Sequence, residues 1–260
     1  MKYGLLLILV ASIIAACATS PTGRSQFLLM PESEMAQMGV AAFTDMKASS
    51  KISQSATTNR YVGCVAQAIT SVLDKKYQRD WEVVVFEDDT ANAFALPGGK
   101  IGVHTGLLKI AVNQDQLASV IGHEVGHVMA HHGNERMSLQ FASQSSQQLL
   151  GAMMQDTAEK PMLMAAMGVG LQYGLQLPYS RSHESEADLL GLDLMAKAGF
   201  KPQASVELWK NMSKNSKGAP PEFMSTHPAN NTRIDNLTAH MSKAESLYQQ
   251  ARQKGFKPSC

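Results

Sequence analysis

The chain has 260 residues, 44% hydrophobic and 17% charged, so it can bury a core and falls outside the disordered and low-complexity classes. Its 23 Lys and Arg balance 22 Asp and Glu, which argues against nucleic-acid binding through a broad basic surface. Three cysteines, Cys17, Cys64 and Cys260, are too few and too dispersed for a disulfide-dense mini-fold or a zinc ribbon.

Met1-Lys2-Tyr3 is a short basic start, and Gly4 to Ala16 carries no charge. As a helix that stretch reaches only about 20 Å, short of a hydrocarbon core of roughly 30 Å, so it reads as a secretory signal rather than a permanent span. Ile14-Ala15-Ala16-Cys17 resembles the lipobox of bacterial lipoproteins, in which the cysteine is acylated and becomes the mature N-terminus. On that resemblance residues 1–16 are a lipoprotein signal peptide and 17–24 a lipidated tether. Ala18, in place of Asp, then implies the periplasmic face of the outer membrane in a bacterial cell envelope. An ordinary signal peptide with Cys17 incidental is the other reading. Export would leave Cys64 and Cys260 as the two thiols in an oxidising compartment, and a Cys64–Cys260 disulfide is expected, with two separate thiols as its alternative.

Thr19 to Arg24 is polar and turn-rich. From Ser33 to Gln78 the spacing of Met35, Met38, Ala41 and Ala42, then of Val62, Val65, Ile69 and Val72, predicts two helices. Trp81 to Phe86 predicts a strand, and Ala93–Leu96 with Lys100–His104 around Pro97-Gly98-Gly99 predicts a strand pair. A strong helix follows from about Gln114 to His132, with Asn113 and Gln116 forming its cap and Gly133 ending it. Residues 137–178 are rich in Gln, Ser and Met, and no run there is long enough to span a bilayer. They read as adaptable core filling, or as a flexible surface that grips unfolded chains. Further helices are predicted at about Ser182–Ala198, Pro202–Met212 and Arg233–Gln253. The fold class expected is α+β, mostly helical, with one domain over residues 25–260 and a small antiparallel edge sheet.

His123-Glu124-Val125-Gly126-His127 lies in the strongest predicted helix. Histidines at i and i+4 project from one face about 6 Å apart along the axis, so both imidazoles reach one tetrahedral Zn²⁺. Glu124, turned by about 100°, suits a carboxylate that faces water at the metal without being a ligand. His131 lies two turns beyond His123, too far to share the ion. Ala130 and Gly133 stand where the metzincin pattern needs Gly and His, which excludes that branch. His131 and His132 read as helix-end residues.

A third ligand is expected from His183-Glu184-Ser185-Glu186-Ala187-Asp188. On a helix Glu184, Ala187, Asp188, Gly191, Leu194 and Met195 share one mostly apolar face, while Glu186, Asp193 and Lys197 fall opposite. Two carboxylates on a buried face need a partner, and a metal with its histidines supplies one. Glu184 is therefore the expected ligand, and Asp188 is placed to accept the outer N–H of a zinc histidine.

His-Glu-Val-Gly-His, followed by Ser180-Arg181-x-x-Glu184-x-Glu186-Ala187-Asp188, resembles the gluzincin family that contains the CaaX prenyl protease and the mitochondrial Oma-type protease, peptidase family M48. Asn92 to Gly99, Thr105 to Leu108, and Ser225-Thr226-His227-Pro228 with Arg233 and Ile234 resemble its other segments. The resemblance covers roughly residues 25–240 and is nearer to the bacterial envelope members than to the prenyl protease. It implies one Zn²⁺ per chain on His123, His127 and Glu184, with Glu124 as general base. It gives Asp188 a catalytic role, where geometry favours a positioning one; both stay open. His227 and Arg233 are expected to stabilise an oxyanion, or His227 to cap the zinc and keep the enzyme latent.

The resulting expectation is a zinc metalloendopeptidase that degrades misfolded or unassembled envelope proteins, held to the membrane by its N-terminal lipid and binding extended substrate backbone on an edge strand. The alternatives are a non-cleaving chaperone or assembly factor using the same groove, and a zinc hydrolase of cell-wall peptides.

Overall fold

A computed structural model describes residues 17–153, 160–171, 177–215, 223, 227 and 231–260. In chain order the elements are β1 (Cys17–Thr19), β2 (Ser25–Phe27), α1 (Glu32–Ser49), α2 (Ala56–Ser71), β3 (Glu82–Phe86), β4 (Ala93–Leu96), β5 (Lys100–His104), α3 (Gln114–Met129), α4 (His132–Met153), α5 (Lys160–Leu171), α6 (Leu177–Lys197), α7 (Gln203–Asn215) and α8 (Asn231–Gln253). They fall into two compact units. One comprises Met1–Pro31 and Ala130–His183, the other Glu32–Met129 and Glu184–Cys260.

In the larger unit, Ser55 caps α2 by accepting a hydrogen bond from the Thr58 amide at 3.3 Å. The sheet order is β3-β5-β4. β4 and β5 form the expected antiparallel hairpin, with Gly98 and Gly99 at φ +87° and +75° making the reversal. β3 joins β5 in parallel, Glu82 opposite Lys100, so the sheet is mixed. Strand patterning does not encode which hairpin strand a third strand will choose, and here it lies beside the second. Val62, Val65 and Ile69 of α2, Ile101 and Val103 of β5, and Leu117 and Ile121 of α3 all share one apolar core that also includes Leu192, Met195 and Leu208.

At the start of α3 the Asn113 side chain accepts from the Gln116 amide at 2.9 Å, and the Gln116 side chain accepts from the Val112 amide at 3.0 Å. The Gln114 amide group receives the Cys260 N–H at 2.8 Å and donates to the Pro258 carbonyl at 3.1 Å. Cys260 is also disulfide-bonded to Cys64 on α2, 196 positions earlier in the sequence. In the chain-entropy account such a closure contributes about 5 kcal/mol.

Gly133 does not end this helix. α3 stops at Met129, whose carbonyl accepts from the Tyr77 hydroxyl at 3.1 Å, and His131 adopts φ +52°. The left-handed residue breaks the helix two positions earlier than the glycine suggests, and Gly133 falls inside α4. His132, expected at the end of this helix, is the first residue of α4 and is fully buried.

In the smaller unit β1 and β2 pair antiparallel, Cys17 opposite Phe27, around a turn in which Gly23 has φ +92°. Residues 17–24, expected as a tether, thus form most of a hairpin. The hairpin and the chain after it are pinned along α4: Arg24 makes a two-pronged pair with Glu135 at 2.8 and 2.7 Å, the Leu29 amide donates to Ser138 at 2.8 Å, and the Met30 amide donates to Asn134 at 3.3 Å. α4 and α5 occupy the stretch that sequence patterning left without elements, and they pack on each other.

Candidate metal centre

α3 and α6 approach closely because glycine faces glycine. A Cβ on Gly122 would lie 2.8 Å from the Gly191 carbonyl oxygen, and one on Gly191 would lie 2.6 Å from the His123 nitrogen. This contact brings the histidine pair of one helix against the carboxylates of the other. His123, His127, Glu184 and His227 are all buried, and their ligand atoms lie within 4.8 Å of one another. His123 Nε2 is 3.0 Å from His127 Nε2 and 3.2 Å from His227 Nδ1. Glu184 Oε2 lies 2.9 Å from His227 Nδ1 and 3.4 Å from His123 Nε2, and Glu184 Oε1 lies 3.4 Å from His127 Nε2.

Three ring nitrogens thus converge beside a carboxylate, and each can present a lone pair in one tautomer of its neutral ring, the form in which imidazole binds a metal. The charges point the same way. Glu124, Glu184 and Asp188 are three buried carboxylates, and Arg233 is the buried guanidinium among them. Such an excess of buried negative charge calls for a cation. Glu124 Oε1, 3.4 Å from His227 Nε2, is buried without a hydrogen-bond partner. The imidazole and carboxylate donors fit zinc.

Asp188 Oδ1 lies 3.0 Å from His123 Nδ1, the ring nitrogen turned away from the cluster. Arg233 donates to both Asp188 oxygens at 2.7 and 2.6 Å, sits 3.1 Å from Glu184 Oε2, and donates to the His227 carbonyl at 3.2 Å. Its guanidinium carbon lies 3.9 Å from the ring centroid of Trp209. Burial opposes charge on His123, yet its hydrogen bonds to Asp188 and Glu184 outweigh that and raise its pKa to about 9. Burial likewise opposes ionisation of Glu184 and Asp188. Hydrogen bonds from His123 and His227 nevertheless lower Glu184, and Arg233 lowers Asp188.

The structure thus gathers His123, His127, Glu184, Glu124, Asp188, His227 and Arg233 in one place. His227 stands among the donor atoms themselves. Arg233 is 1% exposed and braces Asp188 and Glu184 through charge-assisted contacts. Glu186, expected on the outward face of α6, is buried, because that helix packs on more than its ligand-bearing side. Trp209 and Phe223 escape sequence reading. Phe223 stacks on His227 with centroids 4.6 Å apart. The signal that could have found Trp209 is an arginine at a buried helical position, which needs an acid and a flat face to lie on. Residues 1–16, expected as a signal peptide, and Ser225, Thr226 and Pro228 lie outside the described residues.

Residues 56–241 match peptidase family M48. The mitochondrial metalloendopeptidase OMA1 of Saccharomyces cerevisiae is 36% identical over 179 residues, covering 66% of this chain and 50% of that protein. The Arabidopsis thaliana protein of that name is 34% identical over 220 residues, 83% of this chain and 43% of that protein. The beta-barrel assembly-enhancing protease of Escherichia coli is 26% identical over 205 residues, 76% of this chain and 42% of that protein. The chain spans about half the length of these curated relatives or somewhat less. Since the match takes in well over half of the sequence and includes both helices that build the centre, the chain belongs to peptidase family M48.

Proposed function

We propose that the protein is a zinc-dependent metalloendopeptidase of the bacterial cell envelope, with misfolded or unassembled polypeptides as substrates. The observation that carries the activity is the convergence of His123, His127 and Glu184 with the unpartnered Glu124 oxygen beside them. His123, His127 and Glu184 would hold the zinc. When bound, zinc supplies a Lewis acid that polarises a peptide carbonyl and acidifies water.

Glu124 takes the proton of the attacking water and passes it to the leaving amine. Asp188 fixes the orientation of the His123 ring through Nδ1, and Arg233 holds Asp188 and Glu184 in place. β4 is an edge strand among the described residues, and its free side suits an extended peptide read through main-chain hydrogen bonds. Relatives named as mitochondrial metalloendopeptidases support the activity, and the one named as a beta-barrel assembly-enhancing protease supports the envelope setting. Residues 1–16 act as the signal, Cys17 carries the lipid, and residues 25–260 form the peptidase domain on the periplasmic face of the outer membrane.

The position of His227 favours a second reading. With Nδ1 2.9 Å from Glu184, its ring stands where a fourth ligand would, which suits a latent enzyme or a binding-only assembly factor. Hydrolysis of casein by the zinc-loaded protein, beside Glu124→Gln and a chelator control, tests the first reading. Cleavage lost in both controls supports a peptidase. An inactive wild type that His227→Ala activates indicates latency, and inactivity of both overturns the peptidase reading.

A further inference from the structure

In the smaller unit, α4 and α5 present apolar side chains to solvent: Phe141 is 57% exposed, Leu149 63%, Met153 74% and Met162 80%. Pro161, Ala165 and Ala166 of α5 are exposed beside Met162. The sequence carries no charge between Arg136 and Asp156, and none between Lys160 and Arg181; from Pro161 to Leu171 it has no polar side chain at all. A helix with this composition is normally buried, and an exposed apolar face of this kind marks an interaction site.

Two observations point to the occupant. α5 has 12 residues, which makes it about 18 Å long, close to one leaflet of a hydrocarbon core of roughly 30 Å. No helix among the described residues is long and apolar enough to cross a membrane. The Pro161–Leu171 stretch offers no side chain that hydrogen-bonds and none of the Tyr, Trp or Arg anchors that dominate protein hot spots, a composition suited to acyl chains. The second observation is that Cys17 belongs to the same unit, in a hairpin paired to Phe27 and locked to α4 through Arg24 and Glu135. A lipid on Cys17 would bring this unit to a bilayer.

We propose that the α4–α5 face docks on a phospholipid bilayer, inserting Phe141, Leu149, Met153 and Met162 among the acyl chains of one leaflet. The orientation rests on the lipidation of Cys17, but the docking itself does not. The test is vesicle flotation of the mature chain made as Cys17→Ser, which carries no acyl group, with vesicles of phosphatidylethanolamine and phosphatidylglycerol. Wild-type side chains at 141 and 162 should float with the vesicles. Phe141→Ser combined with Met162→Glu should lower partitioning tenfold or more, with an unchanged circular dichroism spectrum and unchanged hydrolysis of a short soluble peptide. No flotation of the Cys17→Ser chain overturns the proposal. It is equally overturned if sedimentation velocity without lipid shows a dimer that the double variant abolishes, or if that variant still floats but loses casein turnover. Failure of the lipidation reading shows separately, as an intact mass of the exported wild type without an acyl group.

Discussion

His183 and Glu184 are neighbours in sequence, yet each belongs to a different buried polar cluster, and the two clusters are built on opposite principles. In the first, Glu135 is fully buried and receives Arg24 through two hydrogen bonds, Gln26 at 3.0 Å and His183 at 2.9 Å. One carboxylate meets a guanidinium, an amide and an imidazole, and the chain itself balances the charge. In the second, Glu184 and Asp188 share one guanidinium, three imidazoles crowd one another, and a Glu124 oxygen has no hydrogen-bond partner. A buried polar cluster that closes on itself holds a fold together, whereas one whose donor atoms converge with a carboxylate oxygen left unpartnered is shaped to hold a cation.

The comparison breaks most directly at Glu124. Glu124→Gln should lower peptide hydrolysis about 10³-fold while leaving the zinc content measured by atomic emission and the melting temperature nearly unchanged. A large loss of stability would mean that Glu124 is a structural acid like Glu135. Removal of zinc is the next test. At free zinc near 1,000 times its Kd, binding to the folded state stabilises by about 4 kcal/mol, so a chelator should lower the melting temperature by several degrees and added zinc should restore it. His123→Ala and Glu184→Gln should abolish that zinc-dependent rise.

Glu135→Gln should do the reverse, costing about 3 kcal/mol of stability by leaving Arg24 and His183 unmatched, with zinc content intact. Despite its burial, the Glu135 carboxyl is lowered to about 2 by Arg24, His183 and Gln26, from an ordinary value of 4.5. A lowered carboxyl stabilises the fold fully above its unfolded pKa and loses that contribution as the pH falls. The stability gap between wild type and Glu135→Gln should therefore be constant above about pH 5 and shrink between 4.5 and 2 in thermal melts. Asn113→Ala lies outside both clusters and sets the scale: loss of the α3 cap should cost about 1 kcal/mol in urea unfolding, with no change in zinc content.

Local chemistry made much of this legible. The hairpin at 93–104 follows from its glycines, the start of α3 from Asn113 and Gln116, and the paired histidines from a spacing that only a helix aligns. Glu184 and Asp188 stand out because acids on an apolar face demand a partner. What stays hidden depends on distant neighbours. A histidine at φ +52° ends α3 where no glycine marks the place. Arg233 turns out to be a brace because Asp188, 45 residues away, receives it. The choice of β5 over β4 as partner for β3 is likewise a matter of three-dimensional assembly.

The link from Cys260 to Gln114 and Cys64 also imposes an order on the life of the molecule. Gln114 is synthesised 146 residues before the residue that clasps it, a lag of roughly 7–30 s at ordinary translation speeds. The disulfide then needs an oxidant, which a reducing compartment withholds and an oxidising one supplies. Until both have happened, the helix that bears the paired histidines lacks the fastening at its start, so this part of the protein completes its structure only after the whole chain is made and an oxidant has reached it.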